Sequence, residues 1–482
     1  MVAVLPTPRL CEEKDAARHA IPYTVHAAAA ELADVIDTLC VSFEKMHEGT
    51  LTVTASADAG ISIALDATLS PDAYVLDSED RICIRAGARE GAFYAIATAL
   101  QLLSVDEAGV LSVQSVHIED APEKPFRAFM IDVGFCWQPF EKMLKYIDLC
   151  FLYKINHLHM HIADNVCYSL PSKAFPKLTS KKHYTYEQIA EMNRYADARG
   201  IKLVPEFECP GHARSLCRAY PEVFSNHADA EGGKFYNELG DPIPADSLVC
   251  AGSDVAFEGV TTLLTEIAEL FPNAPYIHIG GDEAPCEMWN QCRDCRAYME
   301  KHGIKSPKEL YSEYVGRVAK FVLSLGKRPM VWEGFPKESS HYVPKQTVVI
   351  AWESHYQLCT ELLENGFEII NASWQPTYLV DSLSKRWGPE DLLNWNVYNW
   401  QHWWPHSKAY GSPIQIPPTD RLLGATMCSW GLTYEQHISR LLENFPAFAE
   451  RTWTVERRLS FEDYKLVFRK ILRPAAWLIQ DK

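Results

Sequence analysis

No apolar run in the 482 residues approaches the roughly 20 needed to cross a bilayer, which argues against a membrane-spanning helix. Positive charge is scarce relative to negative. Lys and Arg number 46 against 63 Asp and Glu, so the formal net charge is -17. That balance repels phosphate backbones and anionic lipid surfaces, and nucleic acid is not an expected partner. The opening residues, MVAVLPTPRLCEEKDAARHA, lack the basic flank and continuous apolar stretch of a secretory signal. This is expected of a cytoplasmic protein, or of an exported one whose signal has been removed. A glycine-rich phosphate loop after a first strand is also missing, which weighs against an open doubly wound sheet. The 14 cysteines are scattered, compatible with disulfides in an exported protein or with buried thiols.

What remains is an ordinary globular balance, 47% hydrophobic and 23% charged. The length suggests two or three units. Residues 1–122 read as a small α/β domain. Apolar and polar residues alternate at 51–54, 61–65 and 81–85, and residues 87–103 have helical periodicity. The segment VHIEDAPEKPF, with Pro122 and Pro125 among charges, marks the boundary. Residues 123–482 alternate short apolar strands with helical stretches. Eight strand candidates stand at 128–133, 155–162, 202–207, 276–281, 329–334, 347–352, 367–373 and 422–428. Eight such units predict a closed (β/α)8 barrel, with an open parallel sheet as the alternative.

In a barrel the active site lies where strands end. Carboxylates and histidines interrupt the apolar strands at those ends: Asp132, His161, Asp164, Glu206, Glu208, Asp282, Glu283, Glu333 and Glu353. The sharpest case is YIHIGGDEAP, residues 276–285, where a strand runs into two glycines and then two adjacent carboxylates. Neighbouring side chains of a regular strand point to opposite faces, so Asp282 and Glu283 need a bend at the glycines to serve one centre. Glycoside cleavage requires a proton donor for the departing oxygen and a group that steadies positive charge at the anomeric carbon. Glu283 is the candidate acid. An aromatic cluster, Trp387, Trp395, Tyr398, Trp400, Trp403 and Trp404, offers flat rings to pack in the core or to stack on pyranose faces. Trp400 is counted among the substrate-binding candidates.

On these residues the chain resembles glycoside hydrolase family 20, the β-N-acetylhexosaminidases. Their His-x-Gly-Gly-Asp-Glu signature stands here as His278 to Glu283. PFRAFMID, KINHLHMHIADN, GIKLVPEFECPGHA and FAERTW are similar to further motifs of the family, in the same order, and the segment before the barrel resembles its small α/β domain. The resemblance implies retaining, exo-acting, substrate-assisted hydrolysis of terminal β-linked GlcNAc or GalNAc from a glycan or glycoconjugate. In that chemistry the 2-acetamido oxygen attacks and forms an oxazolinium, and no cofactor is required. Asp282 matches the aspartate that orients the acetamido group, and Glu283 the acid that later acts as base. Tyr378 matches a tyrosine bonded to the acetamido oxygen. Trp332, Trp352 and Trp430 match walls of the acetamido pocket, His212 and Asp164 a pair that tunes the acid, and Arg127 the arginine holding the 3- and 4-hydroxyls.

The departures are specific. Trp430 is followed by Gly431 and Leu432 where the family carries a glutamate two residues on, Phe135 stands in the place of an arginine, and Glu208 in that of an aspartate. Grip on the ring hydroxyls is therefore expected to differ. Two other readings remain, a sugar-binding barrel without catalysis and a glycosidase using two protein carboxylates. His159 and His161, two apart on a strand, read as packing and hydrogen-bonding residues. Finally, Cys286, Cys292 and Cys295, with Cys250, form a candidate structural zinc set, or a group of reduced thiols.

Overall fold

The structure is a computed structural model that describes residues 2–47, 49–227, 235–236, 242–380 and 386–480. Its N-terminal part is built on a mixed sheet. The strands run in the spatial order Leu10–Ala20, Leu111–Asp120, Tyr74–Ser78, Ile82–Ala86, Ile61–Leu65, Thr24–Ala27 and Thr52–Val53, and Leu103–Val105 also pairs with Leu111–Asp120. Two helices, Ala33–Met46 and Arg89–Leu102, bridge this sheet to the second part. Arg89 donates to the Asp197 carbonyl and the Thr38 hydroxyl to the Ala198 carbonyl, so these helices dock on the outer helices of the barrel.

The second part is the closed parallel barrel that the strand rhythm predicts. Its strands are β1 (Phe126–Asp132), β2 (His157–His161), β3 (Lys202–Glu206), β4 (Tyr276–His278), β5 (Arg328–Trp332), β6 (Val348–Ala351), β7 (Glu368–Asn371) and β8 (Leu422–Trp430). Each is hydrogen-bonded to the next, and β8 closes the ring by pairing with both β7 and β1. Short polar caps start the surrounding helices: Thr185 and Gln188 form a capping box before Tyr186–Asp197, and Ser306 caps Pro307–Ser324 with proline in the first turn.

Alternate residues of each strand face the lumen. One half of the lumen is apolar, with Phe126, Ala128, Met130, Val348, Ile350 and Ile370 leading up to Trp332, Trp352 and Tyr378. The other half is filled by His157, His159, His161, Glu206 and His278, each at most 7% exposed. No helix among the described residues is long and apolar enough to cross a membrane.

Candidate active site

Beyond β4 the chain turns sharply. Gly280 and Gly281 have φ of +69° and +86°, a region that costs glycine nothing, and Glu283 itself is held at +42°. A Cβ on Gly280 would lie 2.0 Å from Glu208 Oε2, so the glycine also makes room for that carboxylate. The Tyr311 hydroxyl donates to the Gly281 carbonyl and fixes the bend. The two carboxylates consequently part: the Asp282 side chain is 14% exposed and that of Glu283 is 51% exposed. A non-glycine residue at positive φ is strain that the surrounding packing maintains, and such strain gathers at functional sites.

His212 stands between the carboxylates. Its Nε2 is 3.3 Å from Glu283 Oε2 and 3.7 Å from Asp282 Oδ2, and its Nδ1 is 3.3 Å from Asp164 Oδ1. Burial disfavours the imidazolium, but Asp282, Asp164 and Glu283 outweigh it and hold the His212 pKa well above the ordinary range. Burial pushes the Glu283 carboxyl up. The hydrogen bond and charge of His212 prevail and bring it below its usual value. Asp282 behaves oppositely: burial, with Glu283 nearby, raises it to about 6 despite His212. In the resting site the proton therefore sits on His212, within one hydrogen bond of Glu283.

The network continues downward. Asp164 Oδ2 is 3.2 Å from His161 Nε2, and His161 Nδ1 is 2.9 Å from Glu206 Oε2. Glu206 also accepts the Trp332 indole N–H and lies 3.1 Å from His159 Nε2 and 3.0 Å from His278 Nδ1. Three histidines and a tryptophan thus converge on one buried carboxylate, which they keep ionised although burial opposes it.

Trp332, Trp352, Tyr378 and Trp430 come together on one lumen cluster at the mouth. Trp332 and Trp352 meet edge-on at 6.3 Å, and Trp430 meets His161 at 4.7 Å. Tyr378 is stacked on Trp374 at 4.2 Å, and burial keeps its hydroxyl protonated as a donor. Trp374 escaped sequence reasoning, although its place four residues before Tyr378 was a signal. Glu333 was read only as a strand-end carboxylate. It accepts the backbone N–H groups of Trp352, Ser354, His355 and Tyr356, so it shapes the loop that carries Trp352.

Three expected site residues lie elsewhere. Arg127 enters the barrel at the opposite end of β1 from Asp132. Its guanidinium is consumed by the Lys154 and Lys124 carbonyls and the Tyr94 hydroxyl, over the rings of Trp453 and Tyr94. It has no reach to a sugar, because strand direction places residue 127 about five residues, or roughly 16 Å, below the mouth. Trp400 is 1% exposed and donates to the Ala351 carbonyl from the outer core, behind the barrel wall rather than inside it. Cys286 opens the short 3-10 helix Cys286–Asn290 and faces the Lys308 and Tyr311 side. The thiols that approach within 4.8 Å of one another are Cys250, Cys292 and Cys295. Phe135, 64% exposed at the mouth, has no polar side-chain group where an arginine was expected.

The chain is similar to known proteins in sequence and in fold. Residues 125–456 match the catalytic domain of glycosyl hydrolase family 20, and residues 1–121 match domain 2 of that family. A β-hexosaminidase from Vibrio furnissii is 31% identical over 407 residues, covering 77% of this chain and 63% of that protein. A β-hexosaminidase from Porphyromonas gingivalis is 29% identical, covering 69% of this chain and 45% of that one. The chain thus spans less than two thirds of these relatives. Among solved structures, a GH20 exo-β-N-acetylglucosaminidase from Vibrio harveyi with bound N-acetylglucosamine superposes with a TM-score of 0.85 at 25% identity. It covers 99% of this chain and 77% of that one.

Proposed function

The chain belongs to glycosyl hydrolase family 20, and from that membership and the site geometry we propose that it is a retaining exo-β-N-acetylhexosaminidase. Its substrate would be a glycan or glycoconjugate ending in a β-linked N-acetylhexosamine. The observation that carries the reading is Asp282 Oδ1, buried and without a hydrogen-bond partner among the described residues, beside a histidine-linked carboxylate. An acceptor left unpaired in a dry pocket awaits a donor. The N–H of a 2-acetamido group is one, and its carbonyl oxygen is then turned toward the anomeric carbon.

In the first step that oxygen bonds to the anomeric carbon while the bond to the leaving oxygen breaks, and Glu283 donates the proton the leaving group needs. Sugar binding covers the exposed Glu283, and desolvation raises its affinity for the proton held by His212. Asp282, ionised, stabilises the positive charge of the oxazolinium, and Tyr378 donates to the acetamido oxygen. Trp332, Trp352 and Trp430 exclude water and confine the acetamido group. In the second step water attacks the anomeric carbon from the face the aglycone left, Glu283 takes its proton, and the acetamide reopens with net retention. In this scheme the substrate brings the nucleophile and the chain supplies acid and charge stabiliser, so the reaction calls for no cofactor.

The test is parallel hydrolysis of aryl β-GlcNAc, β-GalNAc and β-glucoside by wild type and Glu283→Gln. We expect the acetamido sugars to be cleaved and the glucoside spared, and the variant to lose far more on poor leaving groups than on activated ones. Equal turnover of the glucoside would overturn the scheme.

A further inference from the structure

Outside the site, one cluster of side chains has no part in this chemistry. Cys250 Sγ lies 3.6 Å from Cys292 Sγ and 3.7 Å from Cys295 Sγ, and all three thiols are at most 1% exposed and within 4.8 Å of one another. A disulfide needs sulfurs about 2.05 Å apart. Three thiols can form only one such bond, leaving an odd one. A tetrahedral zinc with Zn–S of about 2.3 Å has sulfur–sulfur edges of about 3.8 Å, close to the spacing present here. The sulfurs are set by backbone rather than by chance contact. Cys292 is the residue before the helix Arg293–His302 and Cys295 lies in its first turn, the Cys-x-x-Cys knuckle. Cys250 is anchored by its N–H to the Phe224 carbonyl, and the neighbouring Ala251 carbonyl accepts from Arg317. The His227 main-chain N–H points at Cys292 Sγ from 3.5 Å, the contact a metal-bound thiolate attracts, and the His227 imidazole is held on Asp294.

We propose that Cys250, Cys292 and Cys295 bind one zinc ion as a structural three-thiolate site. Cys286 is not a ligand. The site closes the loop that begins nine residues earlier at Glu283 and ties it to the turn preceding the helix Asp254–Leu270. It goes beyond the proposed hydrolysis, which uses no metal, and stands or falls independently of it.

The experiment is elemental analysis of full-length protein purified without chelator or polyhistidine tag, followed by cobalt exchange. We expect close to one zinc per chain in wild type and in Cys286→Ser, and near none in Cys250→Ser and Cys295→Ser. Cobalt-loaded wild type should show the thiolate charge-transfer and intense visible bands of a tetrahedral sulfur-rich site. Because the serine variants could fail to fold, chelation of wild type supplies a second reading: it should lower the melting temperature, and zinc should restore it. Metal-free wild type after dialysis against zinc, or a Cys250 disulfide to either partner in the purified protein, would overturn the assignment.

Discussion

Asp282 and Glu283 are adjacent in the chain, yet burial and one histidine push them in opposite directions. Asp282, raised to about 6 by burial, must be ionised to steady positive charge in the proposed reaction. A raised carboxylate contributes stability below its unfolded pKa and loses it as pH rises through the folded value. Asp282→Asn should therefore be more stable than wild type at pH 8, by ~1–3 kcal/mol, with the gap about halved at pH 5 and closing only near pH 4. Its kcat should fall about 10²–10³-fold. Thermal melts at these pH values and steady-state rates check this, and an unstable variant at pH 8 would refute the burial argument. His212 carries the resting proton because three carboxylates surround it. Replacing it with Asn leaves Glu283 alone to hold the acid form, so the alkaline limb of kcat/KM should move toward lower pH. An unmoved limb would show that His212 does not feed the acid.

Elements are tied together by backbone fit as much as by side chains. Between β7 and β8 the register shifts, Ile369 facing Leu422 and Ile370 facing Gly424. Gly424 has φ of +149°, and a Cβ there would sit 1.8 Å from the Phe126 carbonyl of β1. The last strand can enter the gap only with glycine at that point. Gly424→Ala should open the β8–β1 seam and destabilise the fold by more than ~2 kcal/mol, visible as lost solubility or a lowered urea midpoint. The edge strand Leu10–Ala20 shows the converse case. Almost all its residues are exposed, and sequence gave no alternation to find it, because its pairing with Leu111–Asp120 is a backbone matter.

At the scale of the whole molecule the N-terminal part and the barrel share one hydrophobic cluster and one buried polar knot. Lys154 and Asp120 are ion-paired at 2.9 Å with neither side chain exposed, and Tyr74 and the Trp453 indole also bond Asp120. Arg127 joins the same seam through Tyr94. Arg127→Met should cost about 2–4 kcal/mol of stability, since buried carbonyls lose their donor. KM for the sugar should not change. A raised KM with an unchanged melting temperature would restore Arg127 to the binding site. The seam also predicts joint unfolding of the two parts.

By itself the sequence determined the barrel, because eight apolar strand patterns each needed burial on both faces and the helical stretches between them supplied the cover. It also singled out Asp282 and Glu283 as the candidate pair, because a glycine pair before two carboxylates has little structural use. Only tertiary structure decided which end of a strand each residue occupies. Arg127 and Asp132 belong to one motif, but a strand rises about 3.3 Å per residue and carries them to opposite mouths of the barrel. Tertiary structure likewise brought together Cys250 with Cys292 and Cys295, and Asp164 with His212. No local pattern encodes those encounters, since they follow from the closure of the ring and not from spacing along the chain.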